Sequence, residues 1–126
     1  MSHSNEPCSI CTPAKKPLYQ ATELINDFTR TESIFSESHE GASLAYCNAC
    51  GSKGIYYWVE IYDDIWRHWV VASEQEIELL VEANKNHPRA SEDNFRAFFK
   101  GRMHAEQSPS GIRCWTEREL LEGAPY

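Results

Sequence analysis

The stretch Ile55–Ala72, IYYWVEIYDDIWRHWVVA, reads as two strands, Ile55–Tyr62 and Ile65–Ala72, joined at Asp63-Asp64. Both runs are dense in β-branched and aromatic side chains, and the acidic pair supplies the turn. With a two-residue turn, Glu60 falls opposite Arg67, Trp58 opposite Trp69 and Tyr56 opposite Val71. On the other face Ile61 meets Trp66, Val59 meets His68, and Tyr57 meets Val70. Cross-strand pairs of these kinds stabilise a hairpin by a few tenths to about 1 kcal/mol each.

Working outward, Ser73-Glu-Gln-Glu76 has the pattern of a capping box, a hydroxyl at the N-cap and a carboxylate three residues on. Ile77, Leu80 and Val81 then give the apolar stripe of a helix running to about Lys85. A second helix is expected from Ser91, with Phe95, Phe98, Phe99 and Met103 as its buried face. Gly111–Trp115 reads as a last strand, and Thr116–Glu119 as the cap of a short closing helix. Upstream, Ser43–Cys47 reads as a strand entering CNACG, and residues 32–43 as an acidic loop with at most a short strand at Ile34 and Phe35. Leu18, Ala21, Leu24, Ile25 and Phe28 recur at helical spacing. The expected fold is therefore α+β. One domain over residues 1–126 holds a small, mainly antiparallel sheet, three or four helices and a four-cysteine zinc knuckle.

The knuckle rests on two C-x-x-C pairs, CSIC at Cys8–Cys11 and CNACG at Cys47–Gly51, 35 residues apart. Two residues between thiolates let one tight turn aim both sulfurs at a common point, and two such turns close a tetrahedral site. Gly51 allows the backbone such turns often need. A closed S4 site implies structural Zn²⁺; similar knuckles hold iron, and spacing does not separate the metals. These cysteines and the strand after the second pair resemble the four-cysteine zinc-ribbon class. Paired cysteines without a disulfide framework, an N-terminal stretch with neither a basic start nor an apolar run, and no membrane-length apolar segment point to the cytoplasm.

No catalytic motif stands up. Pro7-Cys8-x-x-Cys11 and His104-Ala-Glu106 match elements of the zinc-dependent deaminases. Their order is reversed, however, and the deaminase reading leaves Cys47 and Cys50 without a role. His104 reads as a surface residue at a helix end, His68 as a structural histidine, and Cys114 as a small buried residue.

Charge says more. The chain carries 19 acidic and 12 basic residues, a formal charge of −7, and four thiolates on one Zn²⁺ add roughly two negative charges. That disfavours generic nucleic-acid binding and favours a basic protein partner. Glu74, Glu78 and Glu82 form an acidic stripe on the first helix, and Glu32, Glu37 and Glu40 an acidic loop. The hairpin face with Tyr56, Trp58, Tyr62 and Trp69 beside Glu60 and Arg67 must be covered by a helix or offered to a partner. Size and acidity are similar in type to bacterial toxin-immunity proteins, which implies inhibition of a basic toxin or enzyme by occlusion. A zinc-ribbon accessory factor of transcription or nucleic-acid processing is the alternative, drawing on Arg89, Arg96, Lys100 and Arg102. An enzyme of unrecognised type comes third.

Overall fold

A computed structural model describes residues 8, 11–12, 24–36, 39–86 and 91–117. Six strands form one antiparallel sheet in strict chain order: β1 (Phe28–Ser36), β2 (Glu40–Cys47), β3 (Lys53–Ile61), β4 (Asp64–Val71), β5 (His104–Gln107) and β6 (Arg113–Thr116). Helices α1 (Glu74–Asn86) and α2 (Ser91–Phe99) fall between β4 and β5, and a 3-10 turn, Leu24–Asp27, leads into β1.

The sheet is larger and the helices fewer than the sequence suggested: among the described residues there are two α-helices, not three or four. Of the helix expected over Leu18–Phe28, residues 18–23 lie outside the described ones, and Phe28 opens β1. β1 escaped detection because it is an edge strand with register shifts between Arg30 and Glu32 and between Ser33 and Phe35. Each shift breaks the alternation of period two by which a strand is read. β5 was missed because four residues are too few to show a period. Thr116 belongs to β6, and residues 118–126 of the expected closing helix lie outside the described ones.

The central hairpin forms, but its turn is Tyr62-Asp63, both with positive φ (49° and 71°), and Ile61 pairs with Asp64. Two such residues make a type I′ turn, whose twist matches that of the strands. Sliding the turn by one residue moves each partner by two. Trp58 therefore faces Arg67, Tyr56 faces Trp69, Glu60 faces Ile65, Val59 faces Trp66, Tyr57 faces His68 and Ile55 faces Val70. The faces survive this change because side chains alternate with period two.

Both faces of the sheet carry a buried cluster. On one, Ala42, Ile55, Tyr57, Val59 and Val70 pack under Leu80 of α1 and Phe95 and Phe99 of α2. Glu40, expected in the acidic loop, is buried on this side, where Arg96 Nη2 donates to its Oε1 at 2.6 Å and the Tyr57 hydroxyl to its Oε2. The ion pair fixes α2 against β2, and removing one partner would strand a buried charge. The capping box forms as expected: Ser73 N–H donates to Glu76 Oε1 at 2.9 Å, and Glu76 N–H to Ser73 Oγ at 3.1 Å. Met103, expected in the α2 core, lies past the helix and is exposed.

Two predictions follow from local geometry. A Cβ at Gly54 would strike the Val70 carbonyl and the Trp69 ring, so Gly54→Ala should cost about 1–3 kcal/mol in a denaturant melt. The Glu76 carboxyl is held below its usual value of 4.5, first by the Ser73 amide and then by Arg102 and the Ser73 hydroxyl. A depressed carboxyl stabilises the fold above its unfolded pKa, and the gain disappears as pH falls through the folded one. Glu76→Gln should thus destabilise by a few tenths to about 1 kcal/mol at pH 7 and by nothing near pH 2. A pH-independent difference would show that charge is not the cause.

Candidate metal centre

CNACG is the connection between β2 and β3. Cys47 ends β2, Gly51 takes φ 78°, Gly51 N–H donates to the Cys47 carbonyl at 2.8 Å, and Cys47 N–H to the Ser52 carbonyl at 2.9 Å. Asn48 ties this turn to the chain before β1. Its N–H donates to the Asp27 carbonyl at 3.0 Å, and its side chain accepts from the Thr29 hydroxyl at 2.6 Å. Sequence reading missed Asn48, which lies between the cysteines without being a ligand type.

Cys8 and Cys11 meet this turn from the N-terminal side. All four Sγ atoms lie within 4.8 Å of one another, with Cys8 to Cys47 at 3.8 Å and Cys11 to Cys50 at 3.7 Å. A disulfide needs about 2.05 Å. A tetrahedral site with metal–sulfur bonds of about 2.3 Å has edges of about 3.8 Å. The two cross-knuckle distances therefore fit one ion held by four thiolates, and the donor set suits zinc and iron alike.

The thiols titrate unequally. Burial pushes Cys11 and Cys47 up, while Trp69 and neighbouring backbone groups, respectively, work against that push. For Cys50 burial also raises the value, but the Ser52 hydroxyl and amide and the nearby thiols outweigh it and bring the thiol down to about 6. The buried Trp69 indole nitrogen has no partner at hydrogen-bond length, yet the ring favours the Cys11 thiolate. This is the donor an anionic S4 centre calls for.

The site also covers the second face of the sheet. Cys8, Cys11, Trp58 and Trp115 pack on Phe28, Ala45, Cys47, Tyr56, Trp69 and Ala105, and the Phe28 and Trp69 rings are 4.0 Å apart. The helices expected to cover Tyr56 and Trp69 lie on the opposite face; Phe28 and the knuckle take their place. Tyr56 and Trp69 are fully buried, Trp58, Glu60 and Arg67 half-buried, and Tyr62 is exposed at the turn. Glu60 sits 3.2 Å from His39 Nδ1. Glu74, Glu78 and Glu82 all lie exposed along α1, and Glu74 pairs with Lys53 at 3.0 Å.

The deaminase elements do not meet. Ala105 belongs to the metal-side cluster, so alternation sends His104 and Glu106 to the helix side, where His104 is buried 5.0 Å from the Phe99 ring. That corrects the surface placement expected for His104. His68 is buried on the same side, and half-buried Cys114 lies opposite Glu106 on β6. The basic cluster is not continuous: Arg96 is buried on Glu40, Arg102 pairs with Glu76 at 2.5 Å, Lys100 is exposed, and Arg89 lies outside the described residues. Among the described residues no helix is long and apolar enough to cross a membrane. Comparison with protein-family models, with curated proteins and with solved structures gives no match to this chain.

Purified from zinc-supplemented medium, the protein should carry one metal ion per chain by elemental analysis. Cys47→Ser should carry none and melt well below wild type, since a ligand at a thousand times its Kd adds about 4 kcal/mol. Loading must displace protons from Cys11 and Cys47, so apparent affinity should rise with pH and fall on acidification. Wild-type melting of the metal-free variant would show that the centre does not hold the fold.

Proposed function

We propose that this chain is a zinc-stabilised binding protein that docks a basic protein partner on the acidic side of α1, as small immunity proteins and other acidic inhibitors occlude a basic toxin or enzyme. The observation that carries the reading is the surface beside α1. Glu74, Glu78 and Glu82 stand exposed along the helix, and Glu32 faces them from β1. Between them run two adjoining hollows of about 400 and 530 Å3 that share Leu44, Ile77 and Glu78. Val81 adds to the apolar floor, and Lys53 and Lys85 stand among the carboxylates of the rim.

An apolar trough with an acidic rim suits a partner that offers an apolar anchor flanked by lysine or arginine. The formal charge of −7 adds long-range attraction for such a partner. In this reading the zinc is structural, with its four positions taken by Cys8, Cys11, Cys47 and Cys50, and the protein acts by association alone. The accessory-factor reading has less to draw on, because Arg96 and Arg102 are already engaged with carboxylates.

The test is capture from the native host at low salt with wild type and with the charge-reversed Glu78→Lys/Glu82→Lys variant in parallel. The expected result is one basic protein retained by wild type at fixed stoichiometry, with an association rate at least about tenfold lower for the variant and falling with added salt. Equal retention by both proteins, or recovery of nucleic acid, would overturn the proposal.

A further inference from the structure

On the sheet face away from the helices, β2 presents only small side chains. Ala45 belongs to that face, so alternation places Ser43 and Gly41 there as well. The Trp58 indole occupies the space over Gly41, where a Cβ would collide with it. With no bulk on β2, Arg30 reaches across it from β1, and its guanidinium lies 5.9 Å from the centroid of the Tyr56 ring on β3. Arg30 immediately precedes the first bulge of β1, a feature that re-aims side chains. From the other side, Arg67 of β4 stands directly opposite Trp58. Arg30, Tyr56, Trp58, Ile65 and Arg67 line a hollow of about 220 Å3.

These two arginines differ from the others described. Arg96, Arg102 and Arg113 each sit on a carboxylate, at 2.6, 2.5 and 2.7 Å. Arg30 and Arg67 take part in no ion pair among the described residues, although the chain has 19 acidic residues to supply one. Glu60, two positions along β3 from Trp58, is engaged by His39. Two guanidinium groups thus flank an aromatic floor, and among the described residues no carboxylate lines the space between them.

We infer that this hollow is a binding site for a small planar oxyanion, a carboxylate or phosphate monoester carried on a ring. The ring lies against Trp58, and the oxyanion is held by Arg30 and Arg67. A guanidinium offers a planar fork of donors that matches carboxylate and phosphate geometry, and an indole face accepts a flat ring at little entropic cost. The volume equals roughly seven waters' share of liquid, enough for one ring with its anionic group. The site lies on the opposite side of the sheet from α1 and stands whether or not α1 docks a partner.

The experiment is a titration of the zinc-loaded, 15N-labelled full chain, reading the Trp58 indole N–H and the Arg30 and Arg67 side-chain N–H signals. The probes are benzoate and uridine monophosphate, with benzyl alcohol and uridine as neutral counterparts. At least one anion should shift these signals saturably below about 10 mM and bind at least about tenfold more tightly than its neutral counterpart. A preference for the phosphate or for benzoate would assign the oxyanion. Arg30→Gln/Arg67→Gln should lose that margin while keeping the wild-type melting temperature and zinc content. Arg30→Lys, which keeps the charge without the fork, should weaken binding less. The site is disproved by equal binding of anions and neutral rings, by unchanged binding to the double Gln variant, or by no shift of the Trp58 indole with either anion.

Discussion

The contact of Trp69 with Phe28 on one side and with the cysteine cluster on the other is the constraint the rest of the structure answers to. A sheet built from strands as apolar as β3 and β4 has both faces to cover, and among the described residues helices cover only one. On the second face Phe28, Cys8, Cys11 and Cys47 pack around Trp69. The cysteine cluster is therefore part of a layer, with Cys8 and Cys11 packed against the sheet beside Trp69. An ion bound by the four thiolates would act as a crosslink within that layer.

Electrostatics follow the same division. On the helix side a buried pair, Glu40 with Arg96, pins α2 to β2, and Tyr57 takes up the second carboxylate oxygen. On the metal side Trp69 favours the Cys11 thiolate against the push of burial, and the Ser52 hydroxyl and amide favour that of Cys50. Toward solvent, Glu74, Glu78 and Glu82 line α1 beside Lys53 and Lys85, and Arg30 and Arg67 lie on the far side of the sheet. Within the strands, period-two alternation sends neighbouring residues to different surroundings.

The parts of the fold legible in the sequence were those fixed by short-range chemistry. Ser73 and Glu76 announce a helix start because the cap is made by those two side chains and their own amides. The four cysteines announce a centre because thiolates two residues apart have few other reasons to recur. The hairpin was legible in its faces and not in its register, since alternation survives a shift that the turn decides, and the turn chose Tyr62 in a left-handed conformation over Asp64. β1 was hidden by its bulges, and β5 by its brevity. Which face the helices would cover was beyond reach, because Tyr56 and Tyr57 are equally apolar neighbours and only the packing of Phe95 and Phe99 separates them.

The order of the strands bears on how the protein assembles. β1 to β4 pair through short connections, so that part of the sheet grows from local contacts, whereas β5 reaches β4 only across the 32 residues that hold α1 and α2. The link between Cys11 and Cys47 is long-range as well. It closes a span of about 35 residues, at a loop-entropy cost of roughly 3 kcal/mol before any bond is made. Half of the centre, Cys47 and Cys50, is organised as soon as β2 meets β3; the other half has to arrive from a distance. An ion held there would tie the N-terminal pair of cysteines to a hairpin that forms without it, with Trp69 covered only once both pairs meet.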